Sequence, residues 1–311
     1  MVYETFLNTV RVLVQEKLGD SVEVRPVKVL KNNGTVCDGL TIVSGTYPVS
    51  PTVYLNDLYE LYREGMPMHV IAEQVLRASA AGPEIPPDTA DRFCDYSSVK
   101  EQLAFRLINT EENRELLEDV PWFPVLDLAM VFISVVHTSG GELYSCLIRR
   151  NHLDIWNISP EELRRDALEN APKVLPARLR TMAEAMQLEN ADEMPFSPLY
   201  VLTNGTGIQG ASAMLYPGVL KNLADKVDDD LVILPSSIHE VLLMPEKDSG
   251  EAEHMNRMVR EVNRSSVDRA DRLSDHIYYF RREGCLITVP QGSCLASEST
   301  ITIPSAMAPA I

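Results

Sequence analysis

Apolar residues at helical spacing (Phe6, Val10, Leu13 and Leu18) predict an opening helix over residues 3–18 that stops at Gly19. The β-branched run Val22 to Leu30 leads into Asn33-Gly34, a short hairpin signal, and Gly39 to Val43 reads as the return strand. After the break at Pro48 to Pro51, Tyr54, Leu55, Leu58, Leu61 and Tyr62 mark one face of a helix ending at Gly65, and a second helix spans about Met68 to Ala80. Leu103 to Ile108 reads as a strand, Glu111 to Leu117 as a short helix, Val125 to Val136 as one buried strand, His137 to Gly141 as a turn and Leu143 to Ile148 as the partner strand. Ser159, Pro160 and Glu162 carry the signature of a capped helix start. Strands follow at Leu199 to Thr203 and Ala211 to Leu215, then a helix opened by Pro217, and a hairpin of Leu231 to Leu234 with Val241 to Met244. Ser249 is the expected cap of the next helix, whose Met255, Met258, Val259 and Val262 form a core stripe.

Hairpins alternating with helices in a repeated β-β-α plan predict an α+β fold of antiparallel β-hairpins with helices packed on the sheet faces. Residues 82–92, with Gly82, Pro83, Pro86 and Pro87, are the best boundary. The expected organisation is an N-terminal α+β unit over 1–81 and a main part over 93–284 with two sub-units dividing near 188–197. Residues 285–311 make a low-charge, poorly packed tail with a strand near Thr300 to Ile303.

The 311 residues carry 45 acidic against 28 basic side chains, a net charge of −17, with 45% apolar residues. That apolar share builds a large core. The acidic surface repels phosphate backbones and anionic lipid, so the expectation is no direct nucleic acid and no membrane as partner. A nucleic-acid mimic is the sharper reading of the charge, and solubility the plainer one. Five scattered cysteines, with no C-x-x-C and no signal peptide at the N-terminus, place the chain in the cytoplasm with reduced thiols. The arginine doublets Arg149-Arg150, Arg164-Arg165 and Arg281-Arg282 lack interleaved aromatics and read as solvated faces.

A set of unusual segments occurs in order: Ser50 to Leu55 (SPTVYL), Leu117 to Pro121 (LEDVP), Leu126 to Ala129 (LDLA), Leu199 to Asn204 (LYVLTN), Leu215 to Leu220 (LYPGVL), Leu234 to Leu242 (LPSSIHEVL) and Leu273 to Tyr279 (LSDHIYY). Over roughly residues 3–282 the chain thereby resembles the bacterial family labelled domain of unknown function 5688, and a fainter similarity reaches the YtpQ-like bacterial proteins. The resemblance implies a fold but no activity and no catalytic residues.

Three constellations remain. Gly205, Gly207 and Gly210 match G-x-G-x-x-G after a strand, the pattern that lets a pyrophosphate approach a helix N-terminus. Pro217 falls inside the helix such a site needs, Asn204-Gly205 reads as a hairpin turn, and no acidic residue follows to hold a ribose. Ser237, His239 and Glu240 bring a hydroxyl, an imidazole and a carboxylate into one turn, but neighbours on one extended segment diverge. Asp275 and His276, joined to His239 and Glu240, are adequate metal ligands if the segments meet. The leading expectation is therefore a non-catalytic protein whose partner is another protein, with no cofactor and no metal. The alternative is a hydrolase or metal-dependent enzyme built on the His239/Glu240 and Asp275/His276 segments, and nucleotide binding at Gly205 to Gly210 comes third.

Overall fold

The computed structural model describes residues 2–44, 52–81, 88–139, 142–187, 199–290 and 300–305. The chain divides into two units, Met1–Ser98 and Val99–Ile311. In the first, helix α1 (Tyr3–Leu18) buries Phe6, Val10 and Val14, three positions one helical turn apart. Strands β1 (Val22–Leu30) and β2 (Val36–Ser44) pair in antiparallel register, Leu30 opposite Val36. Their connection turns at Asn33 and Gly34, both at positive φ, as the Asn-Gly signal implies. Strand β3 (Thr52–Tyr54) adds to β2. The residues expected to open a helix at Tyr54 thus end a strand first, and α2 (Asn56–Arg63) and α3 (Met68–Ala80) follow. The core is formed by Phe6, Val10 and Val14 with Val24, Leu40, Leu55, Ile71, Ala72 and Val75. The Pro48 to Pro51 break lies outside the described residues. So do residues 82–87 of the expected boundary. Beyond them α4 (Thr89–Cys94) and α5 (Tyr96–Val99) occupy a stretch read partly as loop.

The second unit begins with β4 (Leu103–Asn109) and α6 (Arg114–Asp119). The apolar run read as one strand is two: β5 (Trp122–Val125) turns at Leu126-Asp127 into β6 (Leu128–Ser139), with Leu126 at φ 58. β5 is only partly buried but its residues are all apolar, and β6 is largely buried, so no polar alternation marks the fold-back. β6 pairs with β4, with β5 and with β7 (Glu142–Leu147). Next come α7 (Arg150–Trp156) and α8 (Pro160–Val174), where the Ser159 hydroxyl accepts the Glu162 N–H at 3.1 Å. Strand β8 (Ala177–Thr181) and the short α9 (Met182–Ala185) complete this half. The expected sub-unit division near 188–197 falls on residues outside the description.

From β9 (Tyr200–Asn204) the chain runs through a 3₁₀ helix (Gly210–Leu215), α10 (Val219–Val227), β10 (Leu231–Leu234), β11 (Val241–Pro245), α11 (Ala252–Ser266) and β12 (Tyr278–Arg281). β13 (Leu286–Thr288) and β14 (Thr300–Thr302) close it. Among the described residues the sheet order is β14-β13-β12-β10-β11-β9-β8, every pairing antiparallel. The α+β class holds. The central plan, however, is β-α-β-β-α-β, in which β11 lies between β9 and β10 and β10 between β11 and β12.

Four expectations change here. Ala211 to Leu215, expected as a strand, is 3₁₀ helix, because Gly210 and Ala211 donate to carbonyls of the 238–239 segment and divert the chain. The start of α11 is at Glu251, and the Ser249 hydroxyl turns back to the Glu246 carbonyl. Along α11, Met255 and Val259 are buried, but Met258 and Val262 are exposed. The region from Cys285 is not simply a loose tail: Ile287 and Ile303 are buried at the sheet edge.

Candidate functional site

The segments that carry the sequence candidates do converge, around the loop that follows β9. Asn204, fully buried, holds this loop from inside. Its side-chain oxygen accepts the Thr206 N–H, the Thr206 hydroxyl and the Gly207 N–H, and its amide donates to the Ile208 carbonyl. Gly205 N–H goes to the Pro176 carbonyl and Ile208 N–H to the Thr206 hydroxyl. Gln209 N–H goes to the His239 ring, and Gly210 and Ala211 N–H to the His239 and Ile238 carbonyls. Each backbone N–H from Gly205 to Ala211 therefore has an acceptor within the protein. A phosphate cradle works by offering such groups to the ligand. Here the glycines serve shape: Gly207 supplies φ +75 in open space, while a Cβ on Gly210 would lie 2.2 Å from the Thr203 hydroxyl and 2.7 Å from the His239 carbonyl.

His239 sits at the centre of this knot. Its Nδ1 accepts from Gln209 N–H at 3.3 Å, and its Nε2 stands 3.1 Å from Asp271 Oδ1. The hydrogen-bond network thus assigns the proton of the neutral ring to Nε2. Both ring nitrogens are engaged within the fold. The Ser237 hydroxyl accepts the His239 backbone N–H at 3.0 Å, closing a local turn. Glu240 is exposed.

The second pair is placed differently from the metal-site reading. Asp275 is exposed and accepts from the Asn263 amide at 2.7 Å, and the His276 backbone N–H donates to the Ser274 hydroxyl. Among the described residues no three His, Cys, Asp or Glu side chains stand close enough to share a metal ion. What joins the 236–240 and 271–276 segments is backbone. Ser237 bridges Arg272, and Leu273 and Ser274 N–H reach the Ser236 and Pro235 carbonyls.

Sequence reasoning missed two residues here. Asp271, the carboxylate that faces His239, has no local motif. Asp127, in the β5–β6 turn, accepts the buried Tyr278 hydroxyl and the Ser274 hydroxyl, the latter at 2.7 Å. Burial first, and then the Asp127 charge, hold the Tyr278 phenol far above its usual value, so it stays a donor. This bridge ties the two sheets of the second unit together.

A different kind of surface lies in the first unit. No residue of α2 is fully buried, although Leu58, Tyr59, Leu61 and Tyr62 share its inner face. Tyr59 and Tyr62 have ring centroids 6.3 Å apart at 23°, and both lean on Phe6. Tyr3 braces Tyr59 edge-on at 4.7 Å and donates its hydroxyl to Asp38. Burial, with the Asp38 contact second, pushes the Tyr3 phenol up to about 12. Tyr59, Tyr62, Arg63, Gly65, Met66 and Pro67 line an open groove of about 570 Å³. Arg63 at its rim is 63% exposed and pairs with the equally exposed Glu60 at 2.9 Å. Such a pair contributes little stability and is readily exchanged for another carboxylate.

Residues 3–282 fit the family described as "Family of unknown function (DUF5688)". No curated protein and no solved structure matches the chain. No helix among the described residues is long and apolar enough to cross a membrane.

Proposed function

We propose, taking as premise that this chain belongs to the DUF5688 family, that it is a non-catalytic cytosolic protein that holds a segment of another protein in the Tyr59–Pro67 groove. The observation that carries this reading is the half-exposed aromatic face of α2 with Met66, Pro67 and Arg63 around it. Tyr, Met and Arg are the residues enriched where proteins meet, because rigid rings and a planar guanidinium offer contact area at small entropy cost. The occupant that fits is an extended peptide bearing proline or aliphatic residues with an acidic flank. Two near-parallel tyrosines and Pro67 suit a proline-type helix, and Arg63 takes the carboxylate in place of Glu60.

The enzyme alternative has weaker support. His239 spends both ring nitrogens inside the fold, and Asp275 serves Asn263. The test is photo-crosslinking in the native host from a reactive group placed at Arg63 in the full chain. Capture of one extended, proline- or aliphatic-rich segment with acidic neighbours, abolished by Tyr62→Glu, supports the reading. Crosslinks unaffected by Tyr62→Glu, or confined to folded surfaces without such a segment, overturn it.

A further inference from the structure

One mismatch remains in the loop that follows β9. In the neutral His239 ring Nδ1 is an acceptor, and its donor is the Gln209 backbone N–H at 3.3 Å. The other nitrogen, Nε2, faces Asp271 Oδ1 at 3.1 Å. Oε1 of Gln209, on the same residue that supplies the donor to Nδ1, is buried and has no hydrogen-bond partner. A buried acceptor without a donor destabilises the fold that encloses it. The loop thus lacks one donor beside a ring that carries one more when it is charged.

An imidazolium is a donor at both nitrogens. Nε2–H keeps Asp271 and gains a charge-assisted bond to it. Nδ1–H instead points at the Gln209 N–H, and two donors repel. The charged groups on the segments packed around the ring are few. Asp271 and Arg272 lie on the segment bridged to Ser237 and Ile238, and Glu240 follows in the chain. Arg178 on β8 stands opposite Thr203, whose hydroxyl donates to the His239 carbonyl. Residues 203–211 carry no charge. Among the described residues Asp271 is the carboxylate that pairs with the ring. We propose that the Gly205–Ala211 loop is a proton-driven switch, in which His239 Nδ1 takes one proton from water, releases the Gln209 N–H and donates to Gln209 Oε1. Only hydrogen bonds are exchanged. The Gly210 and Ala211 N–H groups bond to the 239 and 238 carbonyls, not to the ring, so they hold the end of the loop in both states. The switch is independent of the groove on α2.

The test follows the full chain by NMR between about pH 8 and about pH 5, the range over which an imidazole changes charge. The backbone and side-chain amide signals of Gln209 should move together with the His239 ring signal, while the Ala211 amide stays in place. Exchange protection of the Gln209 N–H, corrected for the intrinsic rate, should fall at least about fivefold, the ratio that loss of one net hydrogen bond gives. His239→Gln should remove the pH response of both Gln209 signals. Gln209→Met, which deletes the unpaired oxygen, should raise the urea midpoint near pH 8 and lose that gain near pH 5, where the wild-type oxygen has its donor. Gln209 signals that do not follow the ring, or that respond unchanged in His239→Gln, overturn the proposal. A gain in Gln209→Met that is equal at both pH values, or larger in acid, also overturns it, and this comparison stands even if His239→Gln does not fold.

Discussion

Replacing Gly210 with alanine tests whether the glycine loop is a packing device. The added Cβ would lie 2.2 Å from the Thr203 hydroxyl, 2.5 Å from the Asn204 N and 2.7 Å from the His239 carbonyl. Two of those atoms are backbone, and Thr203 and Asn204 are held in β9, which pairs with β8 at both positions. The loop must therefore move by about 1 Å, an overpacking that costs about 1–3 kcal/mol. The move also breaks the bonds from Gly210 N–H and from the Thr203 hydroxyl to the His239 carbonyl, at about 1 kcal/mol each. The expected loss is about 3–5 kcal/mol. Gly207→Ala is the control: nothing lies within 4 Å, so only its φ of +75° matters, worth about 1–2 kcal/mol. Trp122 and Trp156, the two tryptophans of the chain, both lie in the second unit, so their fluorescence during urea unfolding reports that unit alone. At a slope of about 2 kcal/mol/M, Gly210→Ala should lower the midpoint by about 2 M and Gly207→Ala by under about 1 M. Equal midpoints for the two variants would refute the reasoning.

Two further predictions rest on polar ties. Asp127→Ala leaves the Tyr278 and Ser274 hydroxyls buried without their acceptor and should cost about 3 kcal/mol. A cycle with Tyr278→Phe should show coupling above about 1 kcal/mol, and additive effects would count against the tie. His152 accepts the Arg149 N–H on Nδ1 at 3.1 Å, and burial, followed by the Arg149 charge, holds its pKa below the ordinary 6.5. The unfolded chain then takes up this proton at higher pH than the folded one. The histidine's contribution is complete above the unfolded value and is lost as pH falls through the folded value. The urea midpoint of wild type, relative to His152→Gln, should drop between about pH 7.5 and about pH 5.5, and a constant difference would contradict the sign.

Much of the fold was legible because its signals are local. The α1 stripe, the Asn33-Gly34 turn and the Ser159 cap each need only a few neighbouring residues. What was missed depends on distant partners. The β5–β6 turn hid in an apolar run because both strands are built of apolar residues, and Leu126 adopts a positive φ that its residue type does not advertise. The 3₁₀ path at Gly210 is set by carbonyls of the 238–239 segment, which periodicity does not encode. The site behaved likewise. His239 was visible as a histidine among polar residues, but its real neighbour, Asp271, was not, and neither were the acceptors that occupy every loop N–H.

The claim that the molecule works through α2 and not through His239 meets its most direct test in one comparison. Equal amounts of wild type, Tyr62→Glu and His239→Asn full chain, each checked for folding by circular dichroism, are titrated against the segment crosslinked at Arg63. Binding should weaken at least about tenfold in Tyr62→Glu, as expected for a buried aromatic anchor, and stay within about twofold in His239→Asn. Unchanged affinity in Tyr62→Glu together with a collapse in His239→Asn would contradict the account.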